Sequence, residues 1–300
     1  MRWLSMVVNR IDSAATRLMG LDGADFREPA GEPAMLPPDS ISWRVFRNPV
    51  TLYVGGIAAV LLELGEPRVR HGVWDHTSFK RDPATRMRRT GLAAMVTVYG
   101  ARSRFEALAA RVNRMHAKVQ GETDDGRAYV ASDPDLLLWV QATASWAFLE
   151  AYRRYAEPLG QAERDRFYAE AKAGAALYGV DAPPTSEAAM TALMTRMRPQ
   201  LEPSPVIDEL IAILRTADIL PRSLRPFQRL GVRAAIDLLP PEMRRQLGLA
   251  GDRLSLAERA LLRMLARGAA RFELPSSPAR QAEARLAAAG DYGPGALATS

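Results

Sequence analysis

Apolar residues recur every three or four positions along nearly the whole chain, and no stretch alternates long enough to read as a sheet strand. Leu4, Val8, Ile11, Ala15 and Leu18 form one stripe, which predicts a first helix over residues 3–19. From Gly20 to Asp39 the chain is rich in Pro, Gly and Asp and reads as a loop wrapping the surface. Asn48-Pro49 then places a capping side chain before a first-turn proline and opens the most apolar run, Pro49 to Leu64. Asp82-Pro83 repeats the device and predicts a helix to about Val98, broken at Tyr99-Gly100. Ser103 is the expected cap of the next helix and Gly121 its end. A polar turn from Glu122 to Arg127 leads to Asp133-Pro134 and a long helix reaching about Tyr155. Further helices are expected near 161–178, 186–198, 205–216, 224–238 and 255–268, the last opened by a Ser255/Glu258 capping box. Beyond Leu274 the chain is rich in Ala, Pro, Gly and Ser and is expected to be frayed or disordered.

The pattern predicts an all-α, multi-helix single domain. Residues 1–40 form an N-terminal helix and surface loop, 41–275 the helical domain proper, and 276–300 a disordered tail. Composition agrees: 48% hydrophobic and 25% charged residues are enough to bury a sizeable core. The net charge of +6 raises the alternative of a basic helical nucleic-acid-binding module, but acids are interleaved with the arginines, as between Glu150 and Glu170. A solvated mixed-charge face is the better account, and no nucleic-acid partner is expected. The chain has no cysteine, which removes disulfides, thiolate nucleophiles, zinc–thiolate sites, iron–sulfur clusters and the attachment motif of c-type haem. Asn9, Arg10, Asp12 and Arg17 break the N-terminal stretch, which lacks a small-residue cleavage site and so does not read as a secretory signal. Pro49–Leu64 is shorter than the roughly 20 residues that span a bilayer. The expectation is a cytoplasmic protein with at most weak peripheral membrane contact through its first helix.

The chain's three histidines are His71, His76 and His116. None sits in an H-E-x-x-H pattern, and no G-x-S-x-G, Walker A or strand-borne G-x-G-x-x-G motif is present. The common hydrolase and nucleotide-binding chemistries are therefore excluded. His116 shares a helical stripe with Phe105, Leu108, Val112 and Val119, so its imidazole is expected to face the interior. Position alone favours a hydrogen-bonded core histidine. The functional alternative is an axial iron ligand, because a neutral imidazole on an apolar helix face suits a buried haem. Arg86 and Thr90, four apart, share a face that continues through Ala93, Ala94 and Thr97. Taken alone, Arg86 and the cluster Lys80, Arg81, Arg88 and Arg89 read as surface. The other account has Arg86 holding an anion or oxygen in a pocket and the cluster partnering haem propionates.

Four blocks in order change that balance. They are Gly55–Leu64 with Pro67-Arg68-Val69 and Gly72-Val73-Trp74-Asp75-His76-Thr77-Ser78-Phe79; Asp82-Pro83-Ala84-Thr85-Arg86-Met87-Arg88-Arg89-Thr90; Arg111 to Gly121 around His116; and Tyr129 to Thr143, which contains Asp133-Pro134-Asp135-Leu136-Leu137-Leu138-Trp139-Val140. Together they resemble the haem-b oxygenases related to MpaB and latex-clearing protein. The resemblance implies a globin-like core enclosing haem b, with His116 as the axial ligand of its iron and Arg86 and Thr90 beside it. His76 matches a histidine in the segment before that pair, and the resemblance implies Arg86, Thr90 and His76 as catalytic residues. The implied activity is a haem-dependent, dioxygenase-like oxygenase that takes O2 and an apolar, isoprenoid-type small molecule, oxidising it or cleaving a C=C bond. The implied catalytic domain is then residues 41–275. Glu66 and Gln141 depart from the family pattern, since many members carry His at both positions. The catalytic glutamate of latex-clearing relatives has no counterpart at the same spacing, Glu63 and Glu66 being only nearby. Those departures motivate the alternative of a haem-binding or sensing protein without turnover.

Overall fold

In the computed structural model, which describes residues 24–288 other than Asp252 and Phe272, the helical periodicity resolves into thirteen α-helices. The first half of the chain forms α1 (Ile41–Phe46), α2 (Pro49–Glu63), α3 (Pro67–Trp74), α4 (Pro83–Tyr99), α5 (Arg102–His116) and α6 (Pro134–Tyr155). The second half forms α7 (Gln161–Leu177), α8 (Glu187–Met197), α9 (Pro205–Thr216), α10 (Arg225–Leu238), α11 (Pro241–Gln246), α12 (Leu256–Ala269) and α13 (Pro278–Ala287). The expected helix over 3–19 lies outside the described residues. The architecture is all-α in a single domain, with one short hairpin.

The cap-then-proline signals set the helix starts. Asn48 Oδ1 accepts from Thr51 N at 3.1 Å and Asp82 Oδ1 from Thr85 N at 3.1 Å, while Asp133 Oδ1 accepts from Asp135 N at 2.8 Å. Each satisfies an amide that the first helical turn leaves unpaired. Asn48 also ties α2 to α12 by donating to Ala266 O at 2.9 Å.

The apolar α2 runs along α6 as the central pair, with α10 and α12 packed against both. Val54, Ile57, Ala58, Leu61 and Leu62 of α2 meet Trp139, Ala142, Ala147 and Ala151 of α6 in the main core. Gly55 permits the close approach: a Cβ there would stand 2.9 Å from both Ala147 O and Phe148 Cδ1. Each large aliphatic side chain so buried stabilises the fold by about 1.5–3 kcal/mol. No single described helix is long and apolar enough to cross a membrane. The bent pair α2 and α3, at 114°, meets the length and composition criteria only jointly, and the apolar residues of α2 are mostly buried in this core.

The structure departs from the sequence expectations at four places. Helix α5 starts at Arg102, one residue before the expected Ser103 cap, and Ser103 instead gives its backbone N and Oγ to the Glu32 carboxylate at 2.6 and 2.8 Å. The same helix stops at His116 rather than at Gly121. Residues 120–122 and 128–130 then pair as an antiparallel hairpin, β1 (Gln120–Glu122) and β2 (Ala128–Val130), with Gly121 opposite Tyr129. Three-residue strands carry too few alternations to be seen in a hydrophobic pattern. Gly121 is needed because Tyr129 lies across it: a Cβ would come within 2.7 Å of the phenol oxygen. Finally, the tail expected to be frayed contains α13, which docks on α4 in a second, smaller core with Phe26, Trp43 and Tyr99.

Candidate active site

Three chemically active side chains from three helices converge. Glu63 is the last residue of α2, Arg86 lies in the first turns of α4, and His116 ends α5. Glu63 is enclosed deeply enough that burial pushes its carboxyl up to about 7, opposed by the Arg86 charge and a long hydrogen bond from Thr143. That bond is 3.5 Å from Thr143 Oγ1, which also donates to carbonyls of its own helix. Arg86 is pulled below the usual guanidinium range by burial, with Glu63 opposing and Arg89 adding to the shift. Burial, then Arg86, lowers His116 in turn, so the imidazole is neutral near pH 7.

These groups are coupled electrostatically without being paired. Among the described residues the Arg86 guanidinium makes no hydrogen bond or ion pair within 4.0 Å, and His116 Nδ1 is buried with no partner. Glu63, Arg86 and His116 are each half-buried. A buried imidazole nitrogen without a protein partner costs folding free energy, and the charge of Arg86 beside it would suit an anionic group.

The expected stripe is present on α5, where Phe105 is buried and Leu108, Val112 and His116 are half-buried. Thr90 is exposed one turn beyond Arg86, and its Oγ1 donates back to Arg86 O at 3.1 Å, making no hydrogen bond to the cluster. His76 is also exposed, with Nε2 3.1 Å from the Tyr129 hydroxyl at the hairpin. Nearby, His71 Nδ1 lies 2.9 Å from Asp75 Oδ2. Of the basic cluster, Arg81 and Arg89 are exposed, Arg88 donates to Thr85 Oγ1, and Lys80 sits 5.0 Å over the Trp74 ring.

The two departures also find places. Glu66 is fully buried as the cap of α3, accepting from Val69 N at 2.8 Å and Arg68 Nε at 2.7 Å, so both carboxylate oxygens are taken up by structural contacts. Gln141 Nε2 donates to Ser145 Oγ at 2.9 Å, and its Oε1 is buried without a partner. Glu63 joins the site although the sequence assigned it no role. Its only sequence-level signal is a carboxylate at the end of an otherwise apolar helix.

Residues 43–272 match the family described as the ER-bound oxygenase mpaB/B′ and rubber oxygenase catalytic domain. The chain is 30% identical over 119 residues to an uncharacterized protein of Mycobacterium bovis, a stretch that is 38% of this chain and 47% of the relative. An uncharacterized protein of Mycobacterium tuberculosis matches to the same extent. The chain thus spans about half the length of the curated relatives it matches. No solved structure matches it significantly. The family match runs from within α1 past the end of α12 and so takes in the helices that carry Glu63, Arg86 and His116, and the chain belongs to the mpaB/rubber oxygenase catalytic-domain family.

Proposed function

We propose that the protein is a haem-b-dependent oxygenase, with His116 holding the iron, that acts on an apolar, unsaturated, isoprenoid-type small molecule. The observation that carries this reading is the His116 imidazole, which is held neutral by burial and by the Arg86 charge and has a buried ring nitrogen, Nδ1, without a partner. Those are the properties an axial ligand needs, and a hydrogen-bonded core histidine would lack them. Bound haem would supply activation of dioxygen.

The chain's own groups have separable tasks. His116 offers a ring nitrogen without first having to lose a proton. Arg86 places a positive charge where an anionic group is stabilised, and by its field it limits the rise of Glu63. With its carboxyl near 7, Glu63 is populated in both protonation states at neutral pH and can take or return a proton at Oε1 or Oε2, the condition for efficient general acid–base work. Thr90 and His76, which the resemblance placed at the site, stand outside this hydrogen-bonding geometry. Thr90 remains within a helical turn of Arg86, and His76 acts on the hairpin through Tyr129.

The test is spectroscopic. Protein expressed with haem precursor is expected to show a Soret band and b-type bands on dithionite reduction. His116→Ala is expected to lose both while keeping its helical circular dichroism. Normal haem content in His116→Ala removes the ligand assignment, and protein that stays colourless after haemin addition removes the cofactor. Glu63→Gln is expected to keep haem and lose most oxygen uptake with isoprenoid alkenes, on the order of 100-fold for a group acting as acid or base.

A further inference from the structure

Outside the Glu63–Arg86–His116 enclosure, a cleft of about 510 Å3 opens where α6, α7, α8, α10, α11 and α12 come together. Seven arginines line it against three carboxylates, four more positive charges than negative. Each carboxylate is ion-paired, although Asp237 Oδ2 is buried without a hydrogen-bond partner. Glu150 holds Arg153 at 2.6 Å and Arg154 at 3.3 Å, and Glu187 holds Arg164 at 2.8 Å. Asp237, 4% exposed, is shared by Arg259 at 3.1 Å and Arg244 at 3.5 Å, with Arg154 at 4.0 Å. Arg253 and Arg263 have no carboxylate partner among the described residues, and Arg263 turns instead to Arg154 O at 3.3 Å.

Arg244 is the telling member. It is 8% exposed, its Nε is buried with no partner, and its contacts to Asp237 are long because one carboxylate serves several guanidiniums. An ion-pair network built only to join helices would balance its charges, since uncompensated buried charge is costly. This one is left short of negative charge beside open space. The lining also includes apolar residues, among them Trp146, Pro240 and Pro241. Guanidinium groups recognise phosphoryl oxygens by charge-assisted, bidentate hydrogen bonds.

We propose that this cleft is a binding site for a phosphoryl group carrying an apolar body, separate from the oxygenase centre. The phosphoryl oxygens sit among Arg244, Arg253 and Arg263 and the apolar body lies against Trp146, Pro240 and Pro241. The chemistry is shared by soluble phosphate esters and by lipid headgroups.

Calorimetric titration of the full chain at constant ionic strength tests it with inorganic phosphate, 1-naphthyl phosphate and 1-naphthol. The expected order is naphthyl phosphate about tenfold tighter than phosphate, reflecting burial of the ring, and no saturable binding of naphthol. Arg253→Ala/Arg263→Ala breaks no carboxylate pair, so it is expected to keep the wild-type melting temperature and weaken naphthyl phosphate at least about tenfold, and Lys at both positions restores part of the loss. Should that double variant not fold, Arg263→Gln alone is read in the same way. Co-sedimentation with phosphatidylglycerol vesicles but not phosphatidylcholine vesicles, lost in the double variant, assigns the phosphoryl group to a lipid. Binding of the ester without the vesicles assigns it to a soluble compound. Saturable binding of neither probe, or equal binding by wild type and the double alanine variant, overturns the site.

Discussion

At the scale of the residue, Glu63 couples site chemistry to stability. Its carboxyl titrates near 7 in the folded protein against an ordinary value of 4.5. Between those values the folded state holds a proton that the unfolded state has released, so stability falls as pH rises through 4.5 to 7 and is fully reduced above it. The shift corresponds to an upper bound of about 3 kcal/mol, lessened because the side chain keeps some accessible surface. In haem-free protein, Glu63→Gln is therefore expected to be more stable than wild type at pH 7.5, by about 1–3 kcal/mol, and nearly equal at pH 4.5. Urea denaturation at the two pH values checks this, and a wild-type stability that rises across the window sinks it. Arg86→Leu removes the charge opposing burial and is expected to move the Glu63 carboxyl titration, followed by infrared absorption, further up. Thr90→Val is expected to change stability by less than about 0.5 kcal/mol, because its hydroxyl only returns a bond to its own helix in an exposed position. Arg86 and His116 were legible as candidates from helical spacing. Glu63 was not, since Arg86 and Thr143 lie 23 and 80 positions away and act on it only once the chain is folded.

At the scale of the element, the central pair is held by how closely α2 and α6 approach. Gly55→Val drives a branched side chain into Ala147 O and Phe148, and the backbone carbonyl cannot move aside as a flexible side chain would. The expected cost is about 2–3 kcal/mol, seen as a lower denaturation midpoint at unchanged slope. The starts of α2, α4 and α6 could be read from Asn48-Pro49, Asp82-Pro83 and Asp133-Pro134, since capping is local. The start of α5 could not, because Ser103 spends its hydroxyl on Glu32, 71 positions earlier. The hairpin escaped for a related reason: the need for Gly121 arises from a tyrosine ring that only chain reversal brings over it.

At the scale of the whole molecule, α13 closes the fold. Arg285 is 1% exposed and donates to Glu32 O and Phe26 O at 2.7 Å and to Tyr99 O at 2.9 Å, joining the loop before α1 to the end of α4. Arg285→Met keeps much of the side chain's length but leaves those three carbonyls without this donor, at an expected cost of roughly 3 kcal/mol. Ending the chain before Pro278 is expected to cost more, since it also uncovers Trp43 and Tyr99, and limited proteolysis of the 24–40 segment should then speed up. A truncated protein as stable as the full chain would contradict the role given to α13. The tail's composition suggested disorder because its apolar residues are mostly alanines, and alanine-rich helices are stable only when docked.

By itself the sequence determined what is local or periodic: helical class, the cap-and-proline starts, the apolar character of Pro49–Glu63, the absence of cysteine chemistry, and the ordered blocks between Gly55 and Thr143 that carry the family resemblance. Hydrogen bonds within a helical turn and a repeat of three or four residues leave their mark along the chain. Only the tertiary structure decided which side chains share an enclosure. It brought the charge of Arg86 to bear on Glu63 and His116, and it bonded Thr90 to Arg86 O and His76 to Tyr129. It made Glu66 a cap, and it gathered seven arginines from four helices and a loop around three carboxylates. The reason is that burial and the field of neighbouring charges depend on distance in space, and residues far apart in the chain acquire those distances only when the helices pack.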